Sequence, residues 1–218
     1  MKYLLALICA STPIFAQEPE SNCRMLPIDQ SADISFFHSE HKEKGYSYDL
    51  NGFSLSYEIG NPTGVEAQGK VWISKQKDLI LIKSRDLLRY NFPFYSLYVA
   101  PFLGAQHFNH KVHNEDDFDV RVVKSHTIFG VSVKGEYADV EYGAHFAHAH
   151  NILNTILKNE NDNFWGHKDP VDHQYFTGLS IGYPIADTSK IIICGDYEKS
   201  YKHKNWTWTI EADLKYTF

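Results

Sequence analysis

Histidine is the first residue type in this chain that suggests chemistry. The 218 residues include 12. His107, His110 and His113 recur at three-residue spacing in one polar stretch, and His148 and His150 stand two apart. His38, His41, His167, His173 and His203 fall in further polar stretches, which leaves His126 and His145 within alternating segments expected to form a wall. Imidazole is the commonest side-chain ligand of transition metals, and residues two apart on a strand share a face. His107, His110, His113, His148 and His150 are therefore the candidate ligands for Zn²⁺ or Cu²⁺. Against this, no spacing matches a defined metal signature such as HExxH, and polar loops tolerate histidine without any ligand. No other cofactor is expected.

Hydrolytic chemistry needs a nucleophile or activated water beside a base. His38-Ser39-Glu40 is contiguous, but neighbouring strand residues point to opposite faces, so these three cannot form a triad by themselves. His126-Thr127 has the same geometry. Asp116-Asp117 is a paired acid in a stretch that reads as solvated loop charge. No catalytic residue is assigned, and the expectation is a protein that is not an enzyme.

The elements that must position these side chains begin after a secretory signal. Lys2, the apolar run Tyr3–Ala10, the break at Ser11-Thr12-Pro13 and the small residue Ala16 read as a signal peptide over residues 1–16. The run is far shorter than the roughly 20 residues of a spanning helix. Residues 17–29 read as a periplasmic N-terminal extension and 30–218 as one domain. Formal charge is −6, and loss of Lys2 makes it −7, which argues against a nucleic-acid partner. Cys23 and Cys194 remain after cleavage. An internal bond and an intermolecular disulfide through Cys23 are both open, since two thiols define no framework.

Period-two alternation, punctuated by Gly, Pro, Asn and Asp, runs through the mature chain, and strong helical periodicity is absent. The last segment is the clearest. Trp206, Trp208, Ile210, Ala212, Leu214, Tyr216 and Phe218 form one face, and Thr207, Thr209, Glu211, Asp213, Lys215 and Thr217 the other. In a soluble sandwich the apolar face turns inward; in a membrane barrel it turns outward to lipid. Mean hydropathy of −0.37 with 15% aromatic residues suits the second case, because lipid-facing and lumen-facing residues average out. Eight or ten strands are expected. Working back from a last strand that descends to the periplasm, Asn61–Gly64, Asn91–Pro93, Gly135–Tyr137 and Ala186–Ser189 are short turns on one side. Ser39–Gly45, His107–Phe118, Asn151–His173 and Lys199–Lys204 are longer loops on the other, with Lys75–Asp78 the exception. That sorting is the pattern of an outer-membrane barrel. Glu141, Glu211, Asp213, Lys134 and Lys215 are then expected to face a packed lumen and to pair there.

The C-terminal segment resembles that of small outer-membrane β-barrel proteins of Gram-negative bacteria, which end in an aromatic residue preceded by alternating apolar positions. Phe218, Tyr216, Leu214, Ala212 and Ile210 fit at every position. The stretches YVAPFLGAQ (Tyr98–Gln106) and GLSIGYPI (Gly178–Ile185) are similar to strands of the same class. The resemblance implies an all-β, closed, antiparallel up-and-down transmembrane barrel. It also implies outer-membrane lipid as surroundings and recognition of the strand ending at Phe218 by the barrel-assembly machinery. The expected role is structural or surface interaction through His-rich external loops. One rival is a membrane-embedded hydrolase, favoured if a histidine meets a hydroxyl, or two acids meet, on the outward rim. Another is a secreted soluble barrel carrying a ligand, favoured if the apolar faces point inward.

Overall fold

A computed structural model describes residues 28–43, 46–61, 63–76, 79–114, 118–160, 163–168, 173–202 and 204–218. Within these, the side chains of 43, 46, 112–114, 118–120, 154, 156–160 and 163–168 are not described. The expected signal peptide, Cys23 and most of the N-terminal extension lie outside the described residues, as do Asp116-Asp117.

The chain forms strands β1 (Asp29–Glu43), β2 (Tyr46–Gly60), β3 (Val65–Gln76), β4 (Leu79–Tyr90), β5 (Phe92–Phe94), β6 (Leu97–Asn114), β7 (Phe118–Tyr137), β8 (Val140–Glu160), β9 (Asn163–Lys168), β10 (Gln174–Ala186), β11 (Ser189–Ser200) and β12 (Trp206–Thr217). Ten of them close a ring in the order β1-β2-β3-β4-β6-β7-β8-β10-β11-β12, and β12 pairs back onto β1. Every pairing is antiparallel. The short β5 pairs with β6, and β9 pairs with the outer part of β8. The choice between eight and ten strands is thus resolved at ten.

Register fixes the barrel's shape. Starting at Ser189 on β11, paired residues run Tyr216, Ala32, Tyr57, Gly69, Asp86, Ala105, Thr127 and His150. Extending the Gln174↔Ala149 register by one residue leads from His150 to His173, just before β10, and the His173 carbonyl accepts from the backbone N–H of Tyr201. One circuit therefore returns to the β11 segment 201 − 189 = 12 positions further out. A stagger of that size on ten strands tilts them by about 40°, inside the usual barrel range.

Alternation sorts the faces. Trp208, Ile210, Leu214 and Tyr216 are 37%, 42%, 46% and 46% exposed, whereas Glu211, Asp213 and Lys215 on the other face are buried. The same inversion holds for Ile34, Phe53, Leu55, Leu179 and Ile181 outside against Phe37, Ser54, Ser56 and Phe176 inside. Apolar side chains facing outward around a polar interior suit lipid and exclude the soluble-carrier arrangement. One cross-strand pair shows how tightly that outer face packs. The ring of Tyr57 lies over Gly69, where a Cβ would approach it to 2.3 Å.

The external loops are shorter than expected, because strand pairing continues through the polar stretches. β1 and β2 pair up to Glu43↔Tyr46, and β6 and β7 up to Asn114↔Phe118. β8 pairs with β10 only as far as Ala149, then continues to Glu160 between β7 and β9. Polarity there marks strands that have risen above the lipid-facing band rather than a loss of strand structure. The periplasmic turn expected at Gly135–Tyr137 lies at Ala138-Asp139, where both φ angles are positive (51° and 65°).

Candidate functional site

The lumen is the larger of two places where functional side chains gather. Two apolar clusters pack within it, Phe37, Leu50, Trp72 and Leu81 in one and Phe102, Ile128, Ala147, Ala149 and Phe176 in the other. Arg85 bridges them. Its guanidinium carbon lies 5.3 Å from the Trp72 ring centroid and 4.4 Å from that of Phe176, a double cation–π stack across the barrel. Glycine makes room for this packing. A Cβ at Gly52 would come within 2.7 Å of the Phe37 ring, and one at Gly178 within 2.0 Å of Asp196 Oδ1.

Charges inside pair extensively, as their burial demands, while Asp33 accepts from the Ser56 hydroxyl. Arg85 reaches Glu198 at 2.9 Å and Asp196 at 3.8 Å and donates from Nε to Gln106 at 3.0 Å. Lys83 also pairs with Glu198. Lys70 pairs with Glu211 and, at 3.5 Å, with Asp213, and the Trp72 indole N–H donates to Glu211. Nearer the mouth with the short turns Glu58 collects Arg89 at 3.0 Å, Lys215 at 3.1 Å and Lys134 at 3.7 Å, while Glu141 pairs with Lys190. The expected lumen residues Glu141, Glu211, Asp213, Lys134 and Lys215 all take part. Cys194 also faces inward, its thiol donating to Asp213 at 3.6 Å. Cavities among the described residues measure about 610 Å³ at the mouth that carries the short turns, about 180 Å³ around Trp72, Arg85 and Phe176, and about 30 and 60 Å³ towards the other mouth.

The five histidines singled out as ligands do not form one group. His107 lies on the outer face of β6, its Nδ1 3.0 Å from Ser125 Oγ. His110, three residues on, is buried in the lumen mouth, with its ring 5.5 Å from Tyr48 and 5.7 Å from Phe108. The stretch is strand rather than loop, and odd spacing sends the two rings to opposite faces. The side chain of His113 lies outside the described ones. His41, placed in a loop by its polar neighbours, is likewise a buried lumen-mouth residue, stacked on Tyr48 at 4.9 Å.

His148 and His150 do share the outer face of β8, and His173 joins them. His173 sits at the entry to β10. Ring centroids are 6.4 Å apart for His148–His150, 5.8 Å for His148–His173 and 4.4 Å for His150–His173. One ligand nitrogen from each lies within 4.8 Å of the others. The Tyr201 hydroxyl is 3.2 Å from His148 Nδ1, and the Asn151 N–H donates to His173 Nδ1 at 3.2 Å. Below the trio are the outward rings of Phe129 and Phe146, and beside it Tyr175 and Tyr201. The trio therefore caps the apolar band at its outer edge.

His173 was placed in a long polar stretch and not among the candidate ligands. Its signal was parity: it stands two before Tyr175, and Tyr175 begins the outward face of the next strand. Arg85, Trp72 and Phe176 had no legible signal. Each is an ordinary member of an alternating strand until the register brings them together.

No protein-family model matches the chain, and no curated protein does. Solved structures do. The chain is similar to the outer membrane protease OmpT of Escherichia coli (TM-score 0.57, 10% identity), covering 89% of this chain and 99% of that one. The translocator domain of the autotransporter NalP from Neisseria meningitidis gives 0.52 at 8% identity, covering 100% and 95%. The transport unit of the autotransporter AIDA-I from Escherichia coli gives 0.51 at 10% identity, covering 99% and 97%. At these identities the likeness is one of fold. The chain has the fold of the bacterial outer-membrane β-barrels, as the C-terminal resemblance implied.

Proposed function

We propose that this protein is a non-conducting, non-catalytic barrel of the outer membrane, with a structural and surface-interaction role carried by the strands that rise above the lipid. The observation that carries this reading is the Trp72–Arg85–Phe176 stack, which lies across the lumen from one wall towards the other. A ten-stranded wall is close to the size at which side chains fill the interior, far from the roughly 16 strands of aqueous porins. The part left to meet other molecules is the outward extension of β6, β7, β8 and β9. Lipid surrounds the rest, and the strand ending at Phe218 is the element offered to the assembly machinery.

A hydrolase is the competing reading, and one contact favours it: Thr207 Oγ1 lies 3.0 Å from His41 Nδ1 in the outer mouth. Burial and the flat stack on Tyr48 argue for a packed histidine instead. Both readings meet one set of experiments. The refolded barrel in planar lipid bilayers is expected to give no conductance steps. Cells carrying a version with residues 154–171 replaced by a short turn are expected to keep an intact envelope and lose adherence to host-cell or matrix-coated surfaces. Discrete steps from the native barrel would overturn the non-conducting reading. Release of fatty acid or peptide that His41→Ala abolishes would replace it with a hydrolase.

A further inference from the structure

The geometry points to a transition-metal site on the outside of the barrel wall, built from His148, His150 and His173. We propose that it takes one Zn²⁺ or Cu²⁺ ion and staples the outer part of β8 to the entry of β10.

Three imidazoles from two adjacent strands converge with no carboxylate or thiol among them. That donor set selects borderline ions such as Zn²⁺ and Cu²⁺ and disfavours Ca²⁺ and Mg²⁺, which need oxygen ligands. Three histidines with a fourth position open is a known zinc arrangement. Zn–N bonds of about 2.0–2.1 Å put tetrahedral ligand nitrogens about 3.4 Å apart, so the present spread of up to 4.8 Å closes by side-chain rotation. His148 is already oriented for the task. Its Nδ1 can donate to the Tyr201 hydroxyl, which leaves Nε2 free, the outer-sphere arrangement that metal-bound histidines commonly show. His173 exchanges a bond, since its Nδ1 accepts from the Asn151 N–H when no ion is bound. His150 and His173 stack at 4.4 Å, a contact that places two nitrogen ligands side by side.

Position gives the site a purpose. β8 and β10 cease to pair beyond Ala149 and Gln174, and β8 carries on outward with β9. His150 and His173 bracket that excursion. An ion shared between them closes its base, and cross-links that close loops stabilise by limiting the open chain.

The test uses the full chain refolded in detergent micelles. Zn²⁺ is titrated in competition with a chromophoric chelator, and Cu²⁺ binding is followed by electron paramagnetic resonance. The native barrel is expected to bind one equivalent, with nitrogen hyperfine structure from imidazole and a higher thermal midpoint when Zn²⁺ is present. His148→Ala, His150→Ala and His173→Ala are each expected to weaken binding at least tenfold and to abolish the rise in midpoint. His107→Ala removes an exposed histidine two strands away on the same outer face and is expected to change neither. Circular dichroism establishes that each variant is folded. If His173→Ala does not refold, His173→Gln keeps an acceptor for the Asn151 N–H. Equal affinity in the native barrel and the three variants, or no uptake by the native barrel, overturns the proposal.

Discussion

Arg85 lies across the lumen between two aromatic faces and holds two carboxylates besides. Removing it leaves Glu198 to Lys83 and Asp196 to His145, at 3.4 Å. Breaking a buried ion pair costs about 3–5 kcal/mol. Arg85→Ala is therefore expected to lower the midpoint of urea unfolding sharply. The double change Trp72→Ala with Phe176→Ala empties both sides of the stack and is expected to turn a silent barrel into one with measurable conductance steps in planar bilayers. Retention of silence would mean that the charge network closes the lumen without the rings. At this scale the sequence was half legible. Parity alone put Glu211, Asp213 and Lys215 inside, because alternation is a local property. The meeting of Trp72 and Phe176 on Arg85, from positions 104 residues apart (176 − 72), depends on the register of the whole ring, which no local pattern contains. For the same reason His148 and His150 were visible as a pair, while His173 needed the β8–β10 pairing.

The strands were largely legible as elements, and their ends were not. Loop polarity suggested that His107–Phe118 and Asn151–His173 leave the sheet, yet β6, β7 and β8 run on through them. A strand above the lipid-facing band has water on its outer face, so the apolar half of its alternation fades and the pattern that marks a strand is lost. Turns can be misplaced in the same way. The β7–β8 turn was expected over Gly135–Tyr137 but uses Ala138-Asp139, two residues that must both take positive φ. A two-residue turn of this kind favours Asn-Gly. Ala138→Asn with Asp139→Gly is expected to raise stability by about 1 kcal/mol by relieving left-handed strain, read as a higher urea midpoint. Unchanged stability would show the hairpin to be held by its strands alone.

For the molecule as a whole, inside and outside are exchanged relative to a soluble protein. Leu55 and Leu214 face outward on β2 and β12, in the band that also holds Ile34 and Ile210. An arginine placed on such a face costs about 2–4 kcal/mol at the bilayer midplane and little near either interface. Leu55→Arg is expected to reduce the yield of folded barrel in lipid vesicles and to have a smaller effect in detergent micelles, as measured by tryptophan fluorescence during refolding. Equal effects in both would contradict lipid contact at that position. Fold class, topology and orientation of the faces were all readable from the chain, since each follows from alternation and turn placement. The count was legible only as eight or ten, because the less regular segments could be merged or discarded as a pair. The ten segments with alternation are the ten strands of the ring, and β5 and β9 are short pieces that gave no such pattern.

The seam between β1 and β12 has a consequence in time. Nine of the ten ring contacts join strands that are neighbours along the chain or separated by one short piece, and they can form as local hairpins. The tenth joins Ser31 to Thr217, with the Phe218 N–H donating to the Gln30 carbonyl. Almost the whole chain is the loop that this contact closes, so it is the slowest to be found. Until Phe218 has been made and placed, the sheet keeps two unpaired edges that invite pairing with other chains. Strand β1 thus waits for a partner at the far end of the ring, and the open interval between them is when the barrel most needs an escort.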